Sequence, residues 1–200
     1  YVSIALDIGE AKLNKPYTIR SCPKDALNGT YTITVKRTAN GFASDYILDN
    51  WQVGTKVKLS APLGEFYHQE LRDAKQVVAL AGGSGITPFY SMAAAIADGT
   101  EDFSLTILYG SRTKDAILLG EELDAVAAAS NGKVKIVHVL SDEEWDGCEK
   151  GFITAELIKK YAPEGDYSIF LCGPQAMYNF VDKEIETLGL RKKFIRHELF

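Results

Sequence analysis

The sequence predicts an all-β domain followed by an α/β domain. Residues 1–72 read as an antiparallel β-barrel, expected to be incomplete at its start, and residues 73–200 as a doubly wound parallel α/β domain. Three observations carry this. Short β-rich runs cut by turn residues fill the first third. From about Asp73, strand-like and helix-like patterns alternate, the mark of a parallel sheet with crossover helices. Two glycine turns in this second part follow apolar strands, at the edge where open α/β sheets bind ligands.

Tyr1-Val2-Ser3-Ile4-Ala5-Leu6 reads as a strand already under way, with no methionine, turn or cap before it, so further residues are expected ahead of Tyr1. Strands follow at 17–22, 30–37 and 56–61, with turn chemistry at 7–14, 24–29 and Asn40-Gly41. One short helix interrupts them, capped by Ser44 and holding Tyr46, Ile47 and Leu48. The polar stretch 68–75 marks the change of pattern. Beyond it, strands are predicted at 76–80, 103–109, 134–140, 167–171 and 194–199, and helices near 87–98, 120–129, 154–161 and 174–188. Phe89, Met92, Ala93 and Ile96 fall at helical spacing, and Leu123, Val126 and Ala127 share a face. Thr154 caps a run whose Leu157, Ile158 and Tyr161 form a core stripe.

Ala81-Gly82-Gly83-Ser84-Gly85-Ile86-Thr87-Pro88, fed by the apolar run Gln76-Val77-Val78-Ala79-Leu80, is the most informative stretch. A strand that runs through glycines into a helix lets backbone N–H groups approach a pyrophosphate and aims a helix N-terminus at its charge. Clustered glycines also occur in ordinary tight turns. The second glycine turn, Leu171-Cys172-Gly173-Pro174, shifts the balance to a nucleotide site.

Composition narrows the class. A net charge of −5 argues against a broad nucleic-acid footprint, and no apolar run reaches membrane-spanning length. Cys22, Cys148 and Cys172 are odd in number and far apart, which excludes a disulfide framework and suits a reducing, cytoplasmic compartment. Without CxxC or Cys/His spacing, no metal site is predicted. His68, His138 and His197 are dispersed and read as surface or satisfied core; Trp51 and Trp145 lie in or near loops.

Five motifs stand in order along the chain: Lys15-Pro16-Tyr17-Thr18-Ile19-Arg20-Ser21, Gly41-Phe42-Ala43-Ser44, Pro62-Leu63-Gly64-Glu65-Phe66, the loop 82–88, and Cys172-Gly173-Pro174-Gln175-Ala176-Met177. Read singly, Tyr17 and Thr18 are also ordinary β-formers, and Cys172 an ordinary buried small hydrophobe. Together, across residues 1–200, the motifs resemble the ferredoxin–NADP reductase superfamily of flavoprotein electron-transfer enzymes. The resemblance implies a flavin-binding β-barrel, a nucleotide-binding α/β domain, FAD in preference to FMN, and NADH or NADPH as substrate. It places Tyr17 beside the isoalloxazine and the Thr18 hydroxyl on the ring nitrogen that accepts hydride, with Ser21 closing the motif. Lys15 stands where the family has an arginine on the flavin phosphate, and offers a point charge in place of a planar fork. Gly41, Phe42, Ala43 and Ser44 correspond to the flavin pyrophosphate segment. Gly82, Gly83, Gly85, Thr87 and Pro88 correspond to the nicotinamide dinucleotide cradle, Gly173 and Pro174 to further cofactor-binding positions, and Cys172 to the meeting point of the two rings. Cys172 is expected to position and not to act as a nucleophile. Glu198 would approach the reaction centre, and Phe200 would lie against the flavin face.

The nucleotide turns on charge near the adenosine ribose. Leu140-Ser141-Asp142-Glu143-Glu144 stands where NADPH-using relatives tend to carry Ser-Arg, and its carboxylates would repel a 2′-phosphate. Ser111 and Arg112, after the strand 103–109, provide a possible cation, an adenosine contact or a solvated loop. NADH is favoured, with Ser141 and Asp142 as ribose contacts. The expected function is transfer of hydride from NAD(P)H to FAD and of electrons to an acceptor protein or iron–sulfur domain. The alternative is a non-catalytic nucleotide-binding or regulatory subunit.

Overall fold

Val2, Ile4 and Leu6 alternate with outward residues, and this period of two buries one face of β1 (Val2–Ile8). The computed structural model, which describes residues 1–198, pairs β1 antiparallel with β2 (Ala11–Tyr17) on one side and β3 (Lys58–Leu59) on the other. The predicted antiparallel class of this domain holds, but its details differ. The turn expected over 7–14 shrinks to Gly9-Glu10, because Gly9 takes φ +62° and the ladder runs on to Ile8–Ala11. The strand expected at 56–61 is reduced to Lys58–Leu59.

The strands expected at 17–22 and 30–37 form no ladder beyond Tyr17. These segments meet where the Arg20 N–H donates to the Thr32 carbonyl (2.7 Å), and the Thr32 N–H donates to Ser21 Oγ (3.0 Å). A side-chain hydroxyl has replaced a backbone ladder partner. The turn expected at 24–29 is instead largely a helix, α1 (Pro23–Leu27): proline opens it, and Asp25 accepts from the Cys22 N–H (3.1 Å). The next helix, α2 (Phe42–Asn50), starts before Ser44, so Ser44 is not its cap. Gly41 takes that position, and the Ser44 hydroxyl donates back to the Gly41 carbonyl (3.1 Å). Ala43 and Ile47 of α2 join Val2, Ile4 and Leu6 in one small core.

The second domain follows its predicted alternation closely. Strands β4 (Gln76–Gly82), β5 (Ser104–Ser111), β6 (Val134–Leu140), β7 (Glu149–Lys150), β8 (Ser168–Cys172) and β9 (Ile195–His197) form one parallel sheet in the order β7-β6-β5-β4-β8-β9. The edge pair β7 was not expected; its partners are Val139 and Leu140. The strand expected at 194–199 is shorter, since Phe194 closes a 3-10 turn; Leu199 lies outside the described residues. Helices α3 (Thr87–Ala97) and α4 (Gly120–Ala129) cover one face, where Phe89, Met92, Ile96 and Leu123 pack on Val77, Ala79, Leu105 and Ile107. Helices α5 (Ala155–Tyr161) and α6 (Gln175–Thr187) cover the other, with Ile158, Val181 and Ile185 against Val78, Leu80, Ile169 and Leu171. Burial on both faces explains why β4 and β8 read as continuous apolar runs. Each fully buried Leu or Ile contributes roughly 1.5–3 kcal/mol before entropy is counted. Thr154 caps α5 as expected, accepting from the Leu157 N–H (3.2 Å).

The chain moves from β4 outward through β5 and β6 to β7, then returns to place β8 on the opposite side of β4. The order therefore reverses between β4 and β8, and a crevice opens beyond their C-terminal ends. A buried ion pair stiffens the region behind it: Arg196 of β9 reaches Asp73 (2.9 Å) and donates to the Glu65 carbonyl of the first domain. The two charged side chains are 5% and 0% exposed.

Candidate active site

Ala81 of β4 and Cys172 of β8 are register partners, so the two glycine turns leave the sheet side by side. They interlock too tightly for side chains. A Cβ on Gly85 would lie 2.1 Å from the Cys172 carbonyl oxygen, and one on Gly82 would lie 2.5 Å from Met177 Sδ. On Gly173 the same atom would meet Met177 Sδ at 2.6 Å. Gly85 is required by contact of backbone with backbone, whereas at Gly82 and Gly173 the nearest atom belongs to the flexible Met177 side chain. Gly83 adds a conformational need, with φ +53° at the start of a 3-10 turn (Gly83–Ile86) that leads into α3. The Thr87 hydroxyl donates to the Ser84 carbonyl (2.9 Å) and ties this turn to the helix.

Opposite these turns stands the first domain. Lys15, Tyr17 and Thr18, at and just beyond the end of β2, and Gly41, Phe42, Ala43 and Ser44, at the start of α2, line the same cleft as Gly82, Gly83, Gly85, Thr87, Cys172, Gly173 and Pro174. Its volume is about 710 Å³. Two lysines, Lys15 and Lys36, and two helix N-termini face a space walled by bare backbone, a donor set suited to phosphates. The residues present thus fit a dinucleotide cofactor.

Lys36 was not singled out from the sequence, although its Nζ lies 3.9 Å from where a Gly83 Cβ would stand. Thr34 and Thr38 line the cleft with it. Their every-second-residue spacing in an extended segment put all three on one face, which was a legible signal.

Other predicted residues lie elsewhere. Pro88 and Glu198 line an adjoining cavity of about 290 Å³ that shares Thr18 with the cleft and is walled by Tyr1, Phe66 and Tyr67. Ser21 does not face the cleft; it is 7% exposed and its Oγ and carbonyl are used by Thr32 and Ser91. Ser111, Arg112, Ser141 and Asp142 gather at the ends of β5 and β6, where the Ser141 N–H donates to Ser111 O (3.1 Å) and Asp142 N–H to Arg112 O (2.9 Å). Phe200 lies outside the described residues.

Electrostatics separates the groups further. Burial pushes the Cys172 thiol up to about 12, with the nearby Glu198 charge adding to the effect. At neutral pH this thiol is uncharged and a poor nucleophile. Burial also raises the Glu198 carboxyl above its ordinary value. Tyr178 donates to the Glu198 carbonyl and accepts from the Gly173 N–H (3.3 Å), linking the second glycine turn to the chain beyond β9.

The acidic segment 142–144 is a largely exposed loop whose carboxylates are paired at the surface. Asp142 pairs with Arg112 (2.8 Å), Glu144 with Lys150, and Glu143 accepts from the Lys114 N–H. Lys114 lies over Trp145, 3.8 Å from the ring centroid. Arg112, which pattern alone left as cation, adenosine contact or loop residue, therefore has its charge balanced by Asp142. The histidines are dispersed as expected: His68 stacks on Phe103 (4.2 Å) and His197 pairs with Asp182 (2.8 Å). His138 departs from the satisfied-core expectation, since its buried Nδ1 has no partner among the described residues, and burial lowers its pKa.

Residues 1–68 match the oxidoreductase FAD-binding domain and residues 79–183 the oxidoreductase NAD-binding domain. NADH-cytochrome b5 reductase 1 of Eremothecium gossypii is 33% identical over 199 residues, covering 96% of this chain and 68% of that protein. Among solved structures, the flavohem-like FAD/NAD-binding domain of nitric oxide dioxygenase from Vibrio cholerae superposes with a TM-score of 0.85 at 25% identity, covering 100% of this chain and 83% of that one. The cytochrome b5 reductase domain of Ulva prolifera nitrate reductase gives 0.82 at 25% identity, covering 98% and 83%.

Proposed function

This chain belongs to the FAD- and NAD-binding oxidoreductases of the ferredoxin–NADP reductase superfamily, and from that premise we propose how its cleft divides the work between two nucleotides. The protein is a flavoenzyme that takes hydride from a nicotinamide nucleotide and passes electrons to an acceptor. The observation that carries the site reading is the single cleft shared by Lys15–Tyr17–Thr18, the start of α2 and both glycine turns.

The flavin side comprises Lys15, Tyr17, Thr18 and residues 41–44. Lys15 would meet a flavin phosphate as a point charge, Tyr17 would pack along the ring, and the α2 amides would take the pyrophosphate. The dinucleotide side comprises Gly82, Gly83, Gly85, Thr87, Gly173 and Pro174, with Lys36 supplying the cation nearest Gly83. Bound FAD supplies hydride acceptance and onward electron release; the protein supplies position, charge and exclusion of water. Thr18, which lines both the cleft and the adjoining cavity, would donate from its hydroxyl toward the reacting edge of a bound flavin. Cys172, neutral and 3% exposed, fills the floor between the two nucleotides and excludes water. Glu198, across Thr18 in the adjoining cavity, holds a proton to higher pH than an exposed carboxyl would. We place the boundary between the domains at residues 72 and 73.

NADH is the preferred donor, because Asp142 pairs with Arg112 and offsets the cation that a 2′-phosphate would need. The acceptor is an electron-carrying protein or domain; similarity to a reductase named for cytochrome b5 supports a haem protein. Free Cys22, Cys148 and Cys172 suit a reducing compartment such as the cytoplasm.

The test is a visible spectrum of the FAD-loaded protein before and after anaerobic NADH. Flavin bands that bleach with NADH, and more slowly with NADPH, are the expected result. Failure to retain FAD, or bands that NADH leaves unchanged, would overturn the reading.

A further inference from the structure

Tyr109 is a fully buried residue of β5 whose hydroxyl is spent on two loops. It donates to the Gly83 carbonyl (3.0 Å) and accepts from the Leu118 N–H (3.1 Å). We propose that Tyr109 is a positioning residue that presets the dinucleotide turn and couples it to the segment leading into α4. The proposal rests on the reading that the pyrophosphate binds the turn 82–85.

The argument is geometric. In a planar trans peptide the C=O and N–H point in opposite directions. Fixing the Gly83 carbonyl inward, onto a hydroxyl rising from the sheet, therefore turns the Ser84 N–H outward. Ser84 lines the cleft, and first-turn N–H groups have no partner within their helix. Gly83 sits at φ +53°, a left-handed conformation that glycine adopts without a Cβ clash. Tyr109 supplies the lock from below.

The second bond extends the effect. Leu118 precedes Leu119, which is held at φ +60°, an uncommon conformation for a side chain of that size. Such strain persists only where the surroundings over-determine it. The bond from the Leu118 N–H to Tyr109 is one such restraint, and it joins the turn to the segment 112–118 that carries Arg112 and Lys114. One phenol thus holds the amide expected to meet phosphate and the segment expected near adenosine. An apolar ring of the same size would fill the space and leave both loops unanchored.

The test compares Tyr109→Phe with the wild type, both loaded with FAD, using ADP-ribose as a probe that carries the pyrophosphate without nicotinamide. A wild type that does not bind ADP-ribose overturns the dinucleotide reading itself, and this assignment with it. Where the wild type binds, the variant should raise the Kd for ADP-ribose and the KM for NADH together, about five- to tenfold, the size expected for one hydrogen bond. Its kcat should stay within twofold, because uniform binding is what has been lost. Flavin content should not change. An ADP-ribose Kd within twofold of wild type overturns the proposal, as does a loss confined to flavin content and melting temperature. Should the variant not fold, amide exchange on the unaltered protein decides. ADP-ribose should slow exchange at both Ser84 and Leu118; protection of Ser84 with Leu118 unchanged overturns the coupling.

Discussion

At the scale of single residues, the cleft is made by what side chains are missing. Gly85 is glycine because the Cys172 carbonyl occupies the place of its Cβ, at 2.1 Å. Gly85→Ala should cost about 1–3 kcal/mol through forced displacement of β8, read by urea denaturation, and should raise the KM for NADH more than it lowers flavin content. Charge makes the second residue-level prediction. Asp142 offsets Arg112 at 2.8 Å in an exposed pair, so Asp142→Asn should improve kcat/KM for NADPH relative to NADH by roughly two- to fivefold. Steady-state kinetics with both nucleotides checks this, and an unchanged ratio would place the ribose elsewhere. Chemistry at Cys172 makes a third. With its thiol near 12 and 3% exposed, it should resist iodoacetamide at pH 8, while the more exposed Cys22 and Cys148 label first in a peptide map. Lys36 shows the limits of reading residues one by one: its place in the cleft follows from the face it shares with Thr34 and Thr38, and isolated lysines carry no such mark.

Elements were legible where periodicity was strong and turn residues marked both ends. Helix α4 has the predicted bounds and strand β6 does too, because apolar spacing and flanking turns agreed. The segments at 18–22 and 30–37 misled, since β-propensity reports fit to a pleated surface and not the presence of a pairing partner. Ser21 Oγ took the amide that a ladder would have used. Helix α1 hid behind turn-forming residues, although proline at its start and Asp25 three residues after Cys22 formed a capping signal. Thr154→Ala removes the cap from α5 and should cost about 1 kcal/mol in chemical denaturation while leaving the KM for NADH unchanged.

At the scale of the molecule, Arg196 holds the two domains against one another through Asp73 and the Glu65 carbonyl. Arg196→Met should cost about 3–5 kcal/mol, because it strands a carboxylate that is 0% exposed. Thermal and urea unfolding would measure it. If the variant lost less than 1 kcal/mol, the ion pair would be dispensable to the junction. Glu198 adds a pH dependence. Its carboxyl is raised by burial, so between the ordinary value near 4.5 and the raised one the folded state binds more proton than the unfolded state. Stability should therefore fall as pH rises through that window, and Glu198→Gln should remove this slope. The Arg20 guanidinium over Tyr90 (5.0 Å) and the bond from the Ser91 hydroxyl to the Ser21 carbonyl (2.7 Å) stitch the first domain along α3 on the other side of the junction.

The sequence by itself determined the class of each domain, the order of the α/β elements and the two turns at which nucleotide chemistry gathers. These are local matters: periodicity, caps and glycine placement act over a few residues, so the linear chain carries them. Only the tertiary structure decided which of those residues share a cleft. It brought Lys36 to Gly83, paired Arg112 with Asp142, removed Ser21 to a backbone role and set Glu198 behind Thr18 in a separate cavity. Those outcomes depend on contacts between distant segments and on the burial that shifts Cys172 and Glu198, and neither is a property of local sequence.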